Sequence, residues 1–520
     1  MILRVPLLQL CLAASGVLAP NAGIGQRSAD KGFVSARSRR IDSIFAMYDT
    51  GRSPGCAVGV MDRGQIEYAH GYGLANVASG VRITPRSVFG LASVAKQFTA
   101  FSVLLLVQDG RLSLDDDVRK WVPELPDFGA QFGRTITIRD LLHHTSGIPN
   151  YFATVDSGWT DTDPLTERDV LDWLGHQKPD FPPGSRWRYS NSGYVLLEII
   201  VQRASGDSLP KFAAKRIFGP LGMASTQFVP DPADHVAQIP HLARTYNSQE
   251  TWLHGEKPLV KSGPEWQISL PHMSIVGDAG VYSTVEDLAK WDRNFYTGRV
   301  GGRAVLQMMQ EPAVLTSGDT VSAPIAPGWR SYGAGLMLGA YRGLRTVGHL
   351  GGWSGNVAWF VRYPDQLLTV TVLCNQRGLT MPGGSDPTHR IAEIYLGDRM
   401  APDIAPLMAM TVAHAGVDSA VHLYHTLLPR YPAIVFDEQQ LNGLGYDLIH
   451  QHNLNAAIAI FRLNVEMYPK SANAYDSLGE AYMDHEDRTL AIASYERSLA
   501  LDSTNANAAR RLAKLRAQAP

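Results

Sequence analysis

Charge of either sign is scarce in this chain. Only 18% of its 520 residues are Asp, Glu, Lys or Arg, below the usual quarter. Lys and Arg number 47 against 49 Asp and Glu, a formal net charge of −2. The basic excess or clustered basic face that nucleic-acid binding draws on is therefore absent. No apolar run reaches about 18 residues, so no membrane-spanning helix is expected. The zinc signature H-E-x-x-H is missing, and there are only 3 Cys. What is abundant is apolar material, 45% of the chain. That supplies a large core and excludes wholesale disorder. At roughly 150 residues per domain, the length allows about three folding units.

Met1–Ala19 carries one basic residue, Arg4, then the apolar run Leu7–Leu18 and small residues. This is the shape of a secretory signal, assigned to residues 1–22, and it is too short to span a membrane. The mature protein is expected to be periplasmic or secreted. Export removes Cys11 and leaves Cys56 and Cys374. In an oxidising compartment these two could pair. Each lies in an apolar, strand-like run, which favours two buried free thiols.

Periodicity places a helix over 37–49 and a hairpin from Gly55–Met61 and Gln65–Gly71. Three further strands follow at Leu344–Leu350, Asn356–Tyr363 and Leu367–Asn375, the last two joined at Pro364-Asp365. Leu91–Asp109 reads as one long apolar helix closed by Gly110, with others over Tyr194–Arg203 and Leu288–Phe295. Strands at both ends of a helical middle predict an α+β domain, an antiparallel sheet flanked by helices with a helical lobe beside it. A cleft between the lobes is the natural place for chemistry.

From about residue 438 the pattern changes. Leu441, Leu444, Gly445, Leu448, Ala457 and Phe461 return 34 residues later as Tyr475, Leu478, Gly479, Tyr482, Ala491 and Tyr495. Such a repeat resembles tetratricopeptide helix pairs. Ala420, Tyr424 and Pro432 match Ala457, Phe461 and Pro469 at an offset of 37, a degenerate half-repeat within a 401–437 linker. Asn507–Leu515 reads as a closing helix. So few repeats are expected to dock on the main domain, and they offer a surface for a protein partner.

A serine nucleophile needs a base within hydrogen-bond reach. Gly51-Arg52-Ser53-Pro54-Gly55 spells G-x-S-x-G, but a helix precedes it and a strand follows, the reverse of a nucleophile elbow. S-x-x-K places Ser and Lys on one helical face, and it occurs at Ser28–Lys31, Ser93–Lys96 and Ser208–Lys211. Ser28 lies in a polar stretch and Ser208 has Pro210 inside the motif. Only Ser93 opens a long apolar helix, where the N-terminus favours negative charge on its oxygen. The bland alternative is a capping Ser93 with a solvated Lys96. Tyr189-Ser190-Asn191 is the one Y-x-N in the chain, and a nearby ammonium would ease loss of the Tyr189 proton. Gly348-His349-Leu350-Gly351-Gly352 ends a strand in glycines, which admit substrate backbone and free N–H groups for an oxyanion.

Ser93-Val94-Ala95-Lys96, Tyr189-Ser190-Asn191 and His349-Leu350-Gly351, in that order, resemble the serine β-lactamase and penicillin-binding protein superfamily. The likeness is greatest to its class C-like branch, which also holds D-aminopeptidases and esterases. Leu141-Leu142-His143-His144-Thr145-Ser146-Gly147-Ile148-Pro149, Gly219-Pro220-Leu221-Gly222-Met223 and Gly277-Asp278-Ala279-Gly280 are similar to further stretches of that branch. The resemblance spans about 37–400. It implies a Ser93 acyl-enzyme, with Lys96 and Tyr189 sharing the Ser93 proton and Asn191 holding Lys96 and the substrate amide. It also implies an oxyanion hole from the N–H groups of Ser93 and Gly352, worth about 3–4 kcal/mol per donor. His349, Gly351 and Gly352 would line the substrate. No metal or cofactor is implied, and His143 and His144 would be structural. His349 stands where β-lactamases of this branch carry the Lys of Lys-Thr-Gly. A neutral imidazole there points away from efficient penicillin hydrolysis. The expected substrate is a β-lactam, D-amino-acid peptide or ester. The alternative is a non-catalytic scaffold whose repeats bind a protein.

Overall fold

The computed structural model describes residues 27–153, 164–231, 235, 238–248, 260–261, 266–268, 272–322, 328–353, 355–376, 386–431 and 438–517. The expected signal segment and Pro432 lie outside them. The main sheet has seven antiparallel strands. Two come from the N-terminal hairpin, β1 (Cys56–Asp62) and β2 (Gln65–Tyr72). Five come from the far end of the domain, β3 (Trp329–Tyr332), β4 (Met337–Tyr341), β5 (Leu344–Trp353), β6 (Asn356–Tyr363) and β7 (Leu368–Cys374). Their order is β3-β4-β5-β6-β7-β1-β2. The two ends of the domain thus close one sheet, as the pattern of strands predicted.

β1 and β7 are buried along almost their whole length, because helices cover both faces of the sheet. On one face lie α1 (Arg27–Phe45) and, later in the chain, the helix Pro387–Leu396. Ile41, Phe45, Val58, Val370 and Ile391 meet there in one apolar cluster. The other face packs on the helical lobe, which contributes α2 (Lys96–Gln108), α3 (Asn191–Ser205) and α4 (Val285–Thr297). Phe98 and Phe101 on α2 meet Trp291 on α4, one ring tilted and the other edge-on. α2 is apolar all round because it is buried all round.

The cysteines correct the sequence reading. Cys56 and Cys374 stand opposite each other in the β1–β7 ladder. They form a disulfide with Cα atoms 4.0 Å apart, instead of two free thiols. Apolar surroundings describe either state equally well. Register decides between them, since antiparallel partners come within about 5 Å at Cα.

After the sheet domain the chain crosses at Ala401. Its N–H donates to the Arg342 carbonyl at 2.9 Å, and the Arg342 Nε donates back to the Ala401 carbonyl at 2.7 Å. The stretch expected as a linker holds two helices, Ile404–Ala415 and Val417–Leu427. Five more follow, Glu438–His450, Leu454–Met467, Ala472–Asp484, Arg488–Leu501 and Ala506–Ala517. Gly445 and Gly479 make the pairs possible. A Cβ on Gly445 would sit 2.5 Å from the Phe461 ring, and one on Gly479 3.0 Å from the Tyr495 ring. All seven helices share an apolar cluster drawn from residues 401–515 alone. They share this core among themselves.

Candidate active site

Ser93 sits in a 3-10 turn, Ala92–Ala95, that runs directly into α2. In 3-10 geometry side chains at i and i+3 eclipse. Lys96 therefore folds back over Ser93, with its Nζ 3.3 Å from Ser93 Oγ. The preceding residue, Ala92, is held at φ +46°, a left-handed conformation that non-glycine residues seldom adopt. Ser93 is partly exposed while Lys96 has no exposed surface. The arrangement differs from the bland alternative, since the amine is buried and the serine does not cap the helix.

Lys96 Nζ also donates to Asn191 Oδ1 at 2.7 Å and to the Asp278 carbonyl at 2.8 Å. With Ser93, these acceptors take all three directions of an ammonium. Burial lowers the Lys96 pKa to about 8, partly opposed by the Asp278 charge. Tyr189 lies alongside, its ring centre 4.9 Å from Lys96 Nζ. Burial pushes its phenol well above the ordinary value, and its hydroxyl has no hydrogen-bond partner among the described residues.

Asn191 opens α3, and that end of the helix is tied to the loop after α-helical Ile138–Leu142. The Asn191 N–H donates to Asn150 Oδ1 at 3.2 Å, and Ser192 Oγ donates to the Pro149 carbonyl at 2.7 Å. His143 and His144 belong to the same loop. His144 is buried against the rings of Tyr189, Tyr194 and Tyr332. Its Nδ1 accepts from the Ser190 N–H at 3.2 Å. Burial and the nearby Lys96 charge hold it neutral, and burial lowers His143 to about 4.

β5 closes the site. Gly351 is the point of closest approach. A Cβ there would lie 2.3 Å from the Leu91 carbonyl oxygen and 3.1 Å from the Ser93 nitrogen. Gly352 is exposed, and a Cβ there would meet nothing within 4 Å. His349 is placed differently from a substrate-facing residue. It has no exposed surface. Its Nε2 lies 2.9 Å from the Tyr332 hydroxyl and its Nδ1 2.6 Å from the Leu350 carbonyl. In the neutral ring Nδ1–H donates and Nε2 accepts. Burial, helped by the Lys96 charge, pushes His349 down to about 3.

Several residues at the site carried no signal of their own in the sequence. Asp278 and Glu198 are both buried. Glu198 Oε2 accepts from the Val276 and Gly277 N–H groups at 2.9 and 2.7 Å, and burial raises its carboxyl to about 8. Tyr151 donates to Asp278 Oδ2 at 2.9 Å. The available clue was an acid among small residues in Gly277-Asp278-Ala279-Gly280, a costly placement unless a partner is near. Beside Ser93 a small apolar recess is lined by Ala92, Met273, Ile275, Tyr282, Trp353 and Asn356.

The family model described as Beta-lactamase matches residues 41–393. Penicillin-binding protein 4* of Bacillus subtilis (strain 168) is 32% identical over 323 residues, 60% of this chain; the chain spans 66% of that relative's length. Among solved structures, the octameric penicillin-binding protein homologue from Pyrococcus abyssi aligns with a TM-score of 0.58 at 26% identity. That alignment covers 74% of this chain and 82% of the other. The D-amino acid amidase from Ochrobactrum anthropi SV3 shares the fold, with a TM-score of 0.57 at 24% identity over 70% of this chain and 99% of the other.

Proposed function

The chain belongs to the β-lactamase family of serine hydrolases, and from that premise we propose that it is an exported hydrolase cleaving an ester or amide through a Ser93 acyl-enzyme. The observation that carries this reading is the buried Lys96 amine, held at once by Ser93 Oγ, Asn191 Oδ1 and the Asp278 carbonyl. Ser93 Oγ attacks the carbonyl carbon as its proton passes to Lys96. In the resting site burial lowers Lys96 and raises Tyr189. Lys96 is then the member of the pair that reaches its neutral, accepting form near neutral pH, while the Tyr189 phenol keeps a proton to relay to the leaving group. The N–H groups of Ser93 and Gly352 receive the oxyanion, and the open space at Gly352 admits the substrate carbonyl. Asn191 holds Lys96 and faces the substrate amide. Water then frees the acyl group.

The substrate reading follows from His349. A neutral, buried imidazole offers no permanent cation to a substrate carboxylate. This favours esters and D-amino-acid amides or peptides over penicillins. The Cys56–Cys374 disulfide supports export, since such bonds persist in oxidising compartments. The Gly445–Phe461 and Gly479–Tyr495 contacts support a tetratricopeptide-like segment over 438–520 with a surface for a protein partner.

The test is a substrate panel of nitrocefin, short-chain p-nitrophenyl esters and D-alanyl peptides, run on wild type and Ser93→Ala. Ester or D-peptide turnover that exceeds nitrocefin turnover and vanishes in Ser93→Ala is expected. Turnover surviving in the variant defeats the assignment.

A further inference from the structure

Asp278 is an acid at the site that the scheme above leaves without a task. Only 2% of it is exposed. Its carbonyl oxygen accepts from Lys96 and its Oδ2 from the Tyr151 hydroxyl. Its Oδ1 is buried with no hydrogen-bond partner among the described residues. Burial raises its carboxyl above the ordinary value, and the Lys96 charge and the Tyr151 hydrogen bond oppose that shift; a carboxylate is costly to bury without a cation.

The backbone that carries Asp278 is fixed beside Lys96. Glu198 holds the N–H groups of Val276 and Gly277, and Thr99 Oγ1 donates to the Gly277 carbonyl at 2.6 Å. Tyr151, the clamp on Oδ2, is fixed in turn, because its N–H donates to Ser192 Oγ at 2.8 Å. The neighbouring Asn150 Oδ1 accepts from the Asn191 N–H, and Asn191 Oδ1 returns to Lys96. Lys96, Asp278, Tyr151, Asn150 and Asn191 thus form a closed ring of contacts behind the nucleophile.

Resting on the Ser93 reading, the geometry points to Asp278 as a positioning residue that steadies the Lys96 ammonium formed when Lys96 takes the Ser93 proton. In that step the Ser93 O–H bond breaks and the bond from Oγ to the acyl carbon forms. The proton goes to Nζ, and the carbonyl π pair moves onto its oxygen. On collapse the bond to the leaving group breaks, and the proton passes from Lys96 through Tyr189 to that group. Asp278 touches no substrate and gains no proton.

The other ionisable groups facing Lys96 do not supply this charge. Tyr189 and Tyr194 present ring faces, centred 4.9 and 5.4 Å from Nζ. His144 and His349 are held neutral by burial. Tyr151 is a protonated donor, and Glu198, raised to about 8, rests largely protonated at neutral pH. The Asp278 charge is what raises Lys96 against burial.

The experiment measures kcat/KM for p-nitrophenyl acetate from pH 5 to 10 on the full chain, with Tm and fluorophosphonate labelling alongside. In wild type the acid limb reports Lys96 losing its proton. Asp278→Asn is expected to move that limb about one pH unit or more toward acid, since removing an opposite charge at close range lowers an ammonium pKa. Tyr151→Phe, which weakens the clamp on the carboxylate, should move it the same way by less. It decides the matter alone if Asp278→Asn does not fold. Activity falling equally at every pH, with the limb unmoved, overturns the assignment and makes Asp278 merely structural. A wild type that neither turns over ester nor takes label sinks the Ser93 reading and this inference with it. An active wild type with unshifted variants sinks the inference alone.

Discussion

Gly351 is where β5 presses on the nucleophile turn, and a single methyl group there tests the packing. A Cβ on Gly351 would stand 2.3 Å from the Leu91 carbonyl oxygen, 3.1 Å from the Ser93 nitrogen and 3.2 Å from the Ala92 Cβ. Leu91 and Ser93 contribute backbone atoms, so no flexible side chain can turn aside. Relief needs β5 and the 92–95 turn to part by about 1 Å before ordinary van der Waals contact returns. Overpacking of this kind costs about 1–3 kcal/mol, a fall in Tm on the order of 5 °C. The same displacement moves Ser93 relative to the Gly352 N–H, and a 1 Å misplacement of reacting groups costs roughly 100-fold in rate. Gly352 is the internal control, since a Cβ there meets nothing within 4 Å. Gly352→Ala should keep its Tm within the roughly 0.5 kcal/mol typical of open surface sites. The assay is thermal denaturation of both variants with ester kcat for Gly351→Ala. If Gly351→Ala matches wild type in Tm and kcat, or if Gly352→Ala is the more damaging to stability, the described contact of β5 with the Ser93 turn is wrong.

Two predictions concern stability. Glu198 is raised in the folded state to about 8 from an ordinary 4.5, so its contribution is full below the unfolded value and is lost as pH climbs through 8. The cost is up to about 1.4 kcal/mol per pH unit across that window. Glu198→Gln removes it, and the stability difference between variant and wild type should grow in the variant's favour from pH 5 to 8; a difference constant with pH contradicts the assignment. Replacing Cys56 and Cys374 together by Ala should lower stability by about 2–5 kcal/mol, read by urea denaturation, and titration of the unfolded wild type should find no free thiol at either position.

Much of this architecture could be read from local pattern. The hairpin at 56–72, the strands after Leu344 and the helix behind Ser93 all show their period in the sequence. β3 and β4 did not, because both are short and Gly339 interrupts the alternation that marks a half-buried strand. The disulfide was hidden for a different reason. Each cysteine looks alike whether or not it is paired, and the register that joins them spans 318 residues. At the site, Ser93, Lys96, Tyr189 and Asn191 each belong to a short motif. Tyr151 and Glu198 do not, and Asp278 stands in Gly277-Asp278-Ala279-Gly280 without its role showing there, since their part depends on which loop packs behind α2 and α3. His349 shows the converse. Its motif suggested a substrate-facing side chain; alternation does put it on the Gly351 face of β5, yet the ring is covered there by Tyr189 and Tyr332.

The most direct measurement is peptide mass mapping after reaction of the full chain with a fluorophosphonate. The account predicts one adduct, on Ser93, that forms in wild type and fails to form in Ser93→Ala. An adduct on another serine, or ester turnover with Ser93 unmodified, would contradict it.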